Sequence, residues 1–167
     1  MDVDLQVFGH NYKFLTIALA LSACTGPVMF QRQVEYLSPT PLPENLQAVS
    51  PASAASVGLA KFSAGDYGSS VIYLQQATAT SPDDSEVWLA LAAAADRAGR
   101  FDISRPAYEK VLGLLGPVFE YQNNIGFSYI LQGRHADAER AFDAALTLKP
   151  NDETTLNNFA LLQRIKG

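Results

Sequence analysis

The chain has 167 residues, enough for one domain and short for two. Its net charge is −5, which excludes a sequence-independent nucleic-acid binder, since that needs a basic face to displace counterions. A single cysteine excludes a disulfide framework and leaves one thiol for any metal site.

The first element is an uncharged apolar run, "FLTIALAL", over residues 14–21, directly after Lys13. It is too short for a spanning helix, which needs about 20 residues, and fits a signal-peptide h-region of about 7–15. Leu21, Ser22 and Ala23 then precede Cys24, the lone cysteine. This order of aliphatic, small, small, Cys resembles the lipobox of bacterial lipoproteins. The resemblance implies a signal peptide over 1–23, lipidation of Cys24, and an acyl anchor firm enough to hold a soluble domain at a membrane. Thr25 stands where enteric bacteria place Asp to retain lipoproteins in the inner membrane, so the outer membrane is expected. The n-region departs from the usual pattern, with Asp2 and Asp4 against one firm positive charge, Lys13.

Residues 24–50 are expected to form the lipidated cysteine and a Pro-rich tether. Pro27, Pro39, Pro41 and Pro43 fall there, and Pro51 closes the stretch. Each proline removes a donor and restricts its predecessor, so "SPTPLPENLQ" cannot hold a regular helix. Its composition favours a spacer reaching on the order of 30 Å over an ordered strand on the domain.

From residue 51 onward the chain repeats itself. Ile125, Gly126, Tyr129, Gly133, Ala138, Phe142, Ala145 and Pro150 define one phase. Trp88, Leu91, Ala92, Gly99, Ser104 and Tyr108 occupy corresponding slots one repeat earlier. Gly58, Gly65, Ser70, Leu74, Ala77 and Pro82 occupy them two repeats earlier, and Phe159 and Ala160 begin a further copy. This pattern resembles the tetratricopeptide repeat, a helix–turn–helix unit of 34 residues. The expected fold is an all-α solenoid over 51–167, with units 51–84, 85–118 and 119–152 and a capping helix over 153–167. Gly126 should let the two helices of a unit approach, and Gly133 should form the turn. Pro106 and Pro117 depart from the pattern. They predict a late start for the second helix of the middle unit, capped by Asp102, and an altered angle between units two and three.

In the repeat family the first helix of each unit lines a concave face. The resemblance places Leu59, Phe62, Leu89, Asn123, Asn124, Phe127, Ile130, Asn157, Asn158 and Leu161 on a peptide-binding groove. Asp96 falls on the same face. The asparagines are expected to face solvent and bond a peptide backbone.

No phosphate loop, metal-ligand spacing or nucleophile elbow is present, so neither enzymatic activity nor a cofactor, metal or small-molecule substrate is expected. His135 falls at a turn and reads as structural. "AAADRAGRFD", "LGPVFEYQNNIGFSYILQGR" and "NNFALL" together resemble the TadD-like repeat lipoproteins of the tight-adherence (Tad/Flp) pilus. That resemblance implies a pilotin-like factor on the periplasmic face of the outer membrane, with a secretin subunit as partner. The alternative is an envelope adaptor that scaffolds peptidoglycan hydrolases or outer-membrane assembly complexes.

Overall fold

The computed structural model describes residues 38–167. The signal segment, the lipobox and Cys24 lie outside the described residues. Seven helices follow in order: α1 (Pro51–Ser63), α2 (Tyr67–Thr80), α3 (Ser85–Arg97), α4 (Phe101–Leu115), α5 (Phe119–Leu131), α6 (His135–Leu148) and α7 (Glu153–Lys166). The described residues contain no strand. Helices α1, α3, α5 and α7 begin at residues 51, 85, 119 and 153, at the 34-residue period of the sequence.

The turn inside each hairpin has one cause. Gly65, Gly99 and Gly133 end the first helices with φ of 78°, 68° and 69°. Only glycine adopts this conformation without strain. The residue after each glycine then reaches back to the last turn: Asp66 N–H to Lys61 O at 3.0 Å, and Arg100 to Ala95 and Arg134 to Tyr129, both at 2.8 Å. These bonds satisfy carbonyls that a helix end leaves open.

The first helices start differently from one unit to the next. Asp84 caps α3 by accepting from the Glu86 and Val87 N–H groups, and Asp152 caps α7 by accepting from Thr155. Val118 occupies the matching slot before α5 and has no side-chain acceptor to offer.

The expected late start of α4 is not found. It begins at Phe101, in phase with α2 and α6, and Pro106 lies inside it. Asp102 is not its cap; its carboxylate pairs with both Nε and Nη2 of Arg100, at 2.9 and 2.7 Å. The irregularity sits at the far end instead. α4 runs one residue longer than α2 and α6, and then breaks at Gly116, whose φ is 73°. The outer helix of unit two consequently packs less closely on the next unit than α2 does on α3 or α6 on α7.

The spacer expectation also fails for residues 38–50. Thr40 N–H donates to the Ala98 carbonyl at 2.8 Å. Tyr73 Oη donates to Gln47 O at 2.9 Å, and Gln76 Nε2 to Val49 O at 3.3 Å. Pro41 and Pro43 lie against Gly68. An extended, Pro-rich backbone has carbonyls with no ladder partner, and α2 supplies donors for them.

The core is formed where hairpin helices meet. A Cβ placed on Gly126 would lie 2.6 Å from the Phe142 ring, and one on Gly58 would lie 2.7 Å from Leu74. Phe142 and Leu74 are themselves fully buried and have nowhere to retreat. Gly126→Leu is therefore expected to lower unfolding free energy by about 1–3 kcal/mol, the usual range for overpacking. Urea unfolding measures this, and adding Phe142→Ala should recover part of the loss.

Candidate functional site

The first helices of successive units touch one another, α1 with α3, α3 with α5 and α5 with α7. The second helices make no comparable mutual contact among the described residues. First helices therefore form the inner face of the array and second helices the outer one.

The predicted groove residues sit on that inner layer at very different depths. Asn157 is exposed, and Leu59 and Leu161 are half-buried. Phe62, Leu89, Phe127 and Ile130 are buried within the core cluster. Asn123 and Asn124 each keep only 3 % of their surface, and Asn158 keeps none.

The asparagines are not the solvent-facing row that the sequence suggests. Asn123 Oδ1 accepts from Asn158 Nδ2 at 3.3 Å and lies 3.0 Å from the Thr155 hydroxyl, which is equally close to the Asp152 carboxylate. These groups tie α5 to α7. Burial raises the Asp152 pKa, but bonds from Thr155 and Lys149 outweigh it and hold the carboxyl below its usual range. Asn124 contributes its backbone carbonyl, 3.3 Å from Tyr108 Oη. Asn157 is the one member of the two predicted pairs left at the surface.

A second cluster was not legible as such. Asp96, near the end of α3, is buried to 2 % exposure. Its Oδ2 accepts from Tyr108 Oη of α4 and its Oδ1 from Ser128 Oγ of α5, both at 2.9 Å. Gln132 Nε2 donates to the same Ser128 oxygen at 2.9 Å. The carboxylate thus joins both helices of unit two to the first helix of unit three. Burial pushes its pKa from 3.8 up to about 6, against the hydroxyl donors, which favour the charged form. Burial and the neighbouring carboxylate push the Tyr108 hydroxyl well above its ordinary value.

At the junction of units one and two the clasp is aromatic. Arg97 Nη2 donates to Tyr67 Oη at 3.0 Å, and its guanidinium lies 5.0 Å from that ring's centre. Tyr67 in turn meets Phe62 edge-on at 5.4 Å. Among the described residues no cluster of His, Cys, Asp and Glu could hold a metal, and no helix is long and apolar enough to cross a membrane.

The sequence matches the tetratricopeptide repeat family over residues 58–114 and 89–153. The chain belongs to that family. Members are typically non-enzymatic scaffolds, and this one carries a protein-binding repeat domain. No curated protein matches it in sequence.

Solved structures share its fold. The first repeat domain of Spaghetti (RPAP3), bound to the HSP90 peptide SRMEEVD, superposes with a TM-score of 0.60 at 14 % identity, covering 74 % of this chain and 98 % of that one. The type III secretion translocator chaperone SycD of Yersinia enterocolitica gives 0.60 at 18 % identity, covering 73 % and 87 %. pilF of Pseudomonas aeruginosa gives 0.58 at 21 % identity, covering 70 % of this repeat chain and 54 % of pilF.

The Asp96 cluster sets a pH dependence. Between about pH 4 and 6 the folded chain binds a proton at Asp96 that the unfolded chain has released, so stability falls as pH rises through that window and then levels. Unfolding free energy should therefore increase by about 1 kcal/mol from pH 7 to pH 5, for a pKa moved from 3.8 to about 6. Denaturant titrations at the two pH values test this, and Asp96→Asn should remove the difference.

Proposed function

We propose that this repeat protein is an outer-membrane lipoprotein that binds a secretin subunit, acting as a pilotin-like factor in a tight-adherence pilus. The observation that carries the reading is the lipobox Leu21-Ser22-Ala23-Cys24 behind a short h-region, ahead of a protein-binding repeat domain. The motif order shared with tight-adherence lipoproteins supports it. The fold shared with pilF and with a secretion chaperone is compatible with it.

The groove now has a sharper outline. Leu59, Leu161 and Asn157 keep accessible surface, so a partner segment would meet them directly. Asn123 and Asn158 hold the floor rather than the ligand. An apolar contact at Leu59 and an amide at Asn157 suit an extended or helical peptide more than a charged terminus.

Two experiments test the reading. Cys24→Ser should move the protein from the outer-membrane fraction to the soluble periplasm; retention in the membrane would place the anchor elsewhere. Leu59→Ala and Asn157→Ala should each weaken secretin binding about fivefold, the equivalent of about 1 kcal/mol for a lost half-buried contact or a neutral hydrogen bond. Circular dichroism confirms that the variants fold. A folded wild-type chain that binds no secretin fragment would sink the pilotin reading and favour the envelope adaptor.

A further inference from the structure

The loose packing of α4 on α5 leaves an open cleft of about 260 Å³ on the outer side of the array. Its walls are Tyr108, Tyr121, Tyr129 and Ile125, and Ser128 lies at its base. Residues 121, 125, 128 and 129 of α5, with Gln132 at its C-cap, fall within one arc at 100° per residue. The groove positions 123, 127 and 130 fall on the opposite arc. The cleft is therefore separate from the groove.

Its chemistry is directional. α4 runs away from the hairpin turns and α5 runs toward them, so Arg105 and Arg134 stand at the turn end and Glu109 and Tyr121 at the other. Arg134 is already engaged: it stacks 4.3 Å from the Tyr129 ring centre and pairs with Asp137. Arg105 is exposed and, unlike the other lysines and arginines among the described residues, has no partner. Glu109 lies close enough to Tyr121 to help raise that hydroxyl's pKa, after burial and Tyr129. Aromatic walls favour an aromatic guest by edge and face contacts. A free guanidinium at one end favours a carboxylate beside that guest.

We propose that the cleft between α4 and α5 is a second partner-binding site, which takes an aromatic side chain of a protein partner with an acidic residue beside it at the Arg105 end. The volume accommodates one ring system and little more. Half-buried Tyr121, Ile125 and Tyr129 contact the guest, Tyr108 packs behind Tyr121 at 6.3 Å, and Arg105 closes on the acid. The site does not depend on the identity of the groove partner.

The test is an NMR titration of the full chain in detergent with acetyl-Glu-Trp-amide and acetyl-Lys-Trp-amide. The Glu peptide should shift the amides of Ser128, Tyr129 and Gln132 and bind about tenfold tighter than the Lys peptide, as expected for one charge-assisted hydrogen bond. Arg105→Glu, an exposed change, should invert that preference. Leu59→Ala and Asn157→Ala should leave it unchanged, whether or not they affect secretin binding. Shifts confined to the groove, no shifts at all, or a preference that survives Arg105→Glu would each overturn the proposal.

Discussion

The close approach of two helices inside each hairpin governs the rest of the molecule. Gly58 lies under Leu74 and Gly126 under Phe142, at separations that leave no room for a Cβ. The middle unit solves the same contact with Ala92 and Tyr108, both buried. That substitution has a consequence that a phenylalanine would not. A buried phenol needs a hydrogen-bond acceptor, because an unsatisfied hydroxyl costs about 1–3 kcal/mol. Asp96 provides it at 2.9 Å, and being drawn into the core raises its own pKa. The raised carboxyl pKa of Asp96 is thus a result of how one repeat fills its helix contact.

Each junction between units is fixed by a different polar clasp laid over apolar packing. The first uses Arg97 on Tyr67, the second Asp96 with Tyr108 and Ser128, and the third Asn123 with Thr155 and Asn158. In a solenoid each unit touches only its neighbours, so stability is close to a sum of unit and interface contributions. Small apolar residues such as Ala90, Ala92, Ala93, Ala94 and Ala95 pack densely but discriminate weakly between sliding positions. Directional bonds from buried groups supply that discrimination, since a slipped register would leave them unpaired.

Much of the array was legible because it depends on period alone. A glycine every 34 residues at the turn and a small residue opposite a large one are local demands, and they recur wherever the unit recurs. Depth was not legible. A slot in the repeat tells which way a residue points from its helix, but not how closely the next unit covers it. Asn123 meets residues 32 and 35 positions later, and Asp96 meets Ser128 32 positions later. Those pairings cross from one unit to the next and leave no mark within either. The segment 38–50 was misread for a related reason. Its prolines forbid a helix, which is a local fact. Whether an extended chain lies on a surface depends on donors such as Tyr73 and Gln76, far along the sequence.

The sequence departures in the middle unit turn out to matter at its exit rather than its entry. Pro106 is absorbed inside α4, where the packing of Ala107, Tyr108 and Val111 holds the helix in phase. Gly116 and Pro117 instead extend and then break the chain before α5, with Val118 standing where the neighbouring units cap with aspartate. The outer helix α4 therefore packs loosely on α5 while the inner layer stays clasped through Asp96 and Ser128. α5 is the helix most affected. One of its sides belongs to the inner face and the other to the open cleft. Ser128 lies on the cleft side, yet its hydroxyl bonds the residue that anchors the inner layer. Ser128 thereby links the wall of the cleft to the clasp that joins units two and three.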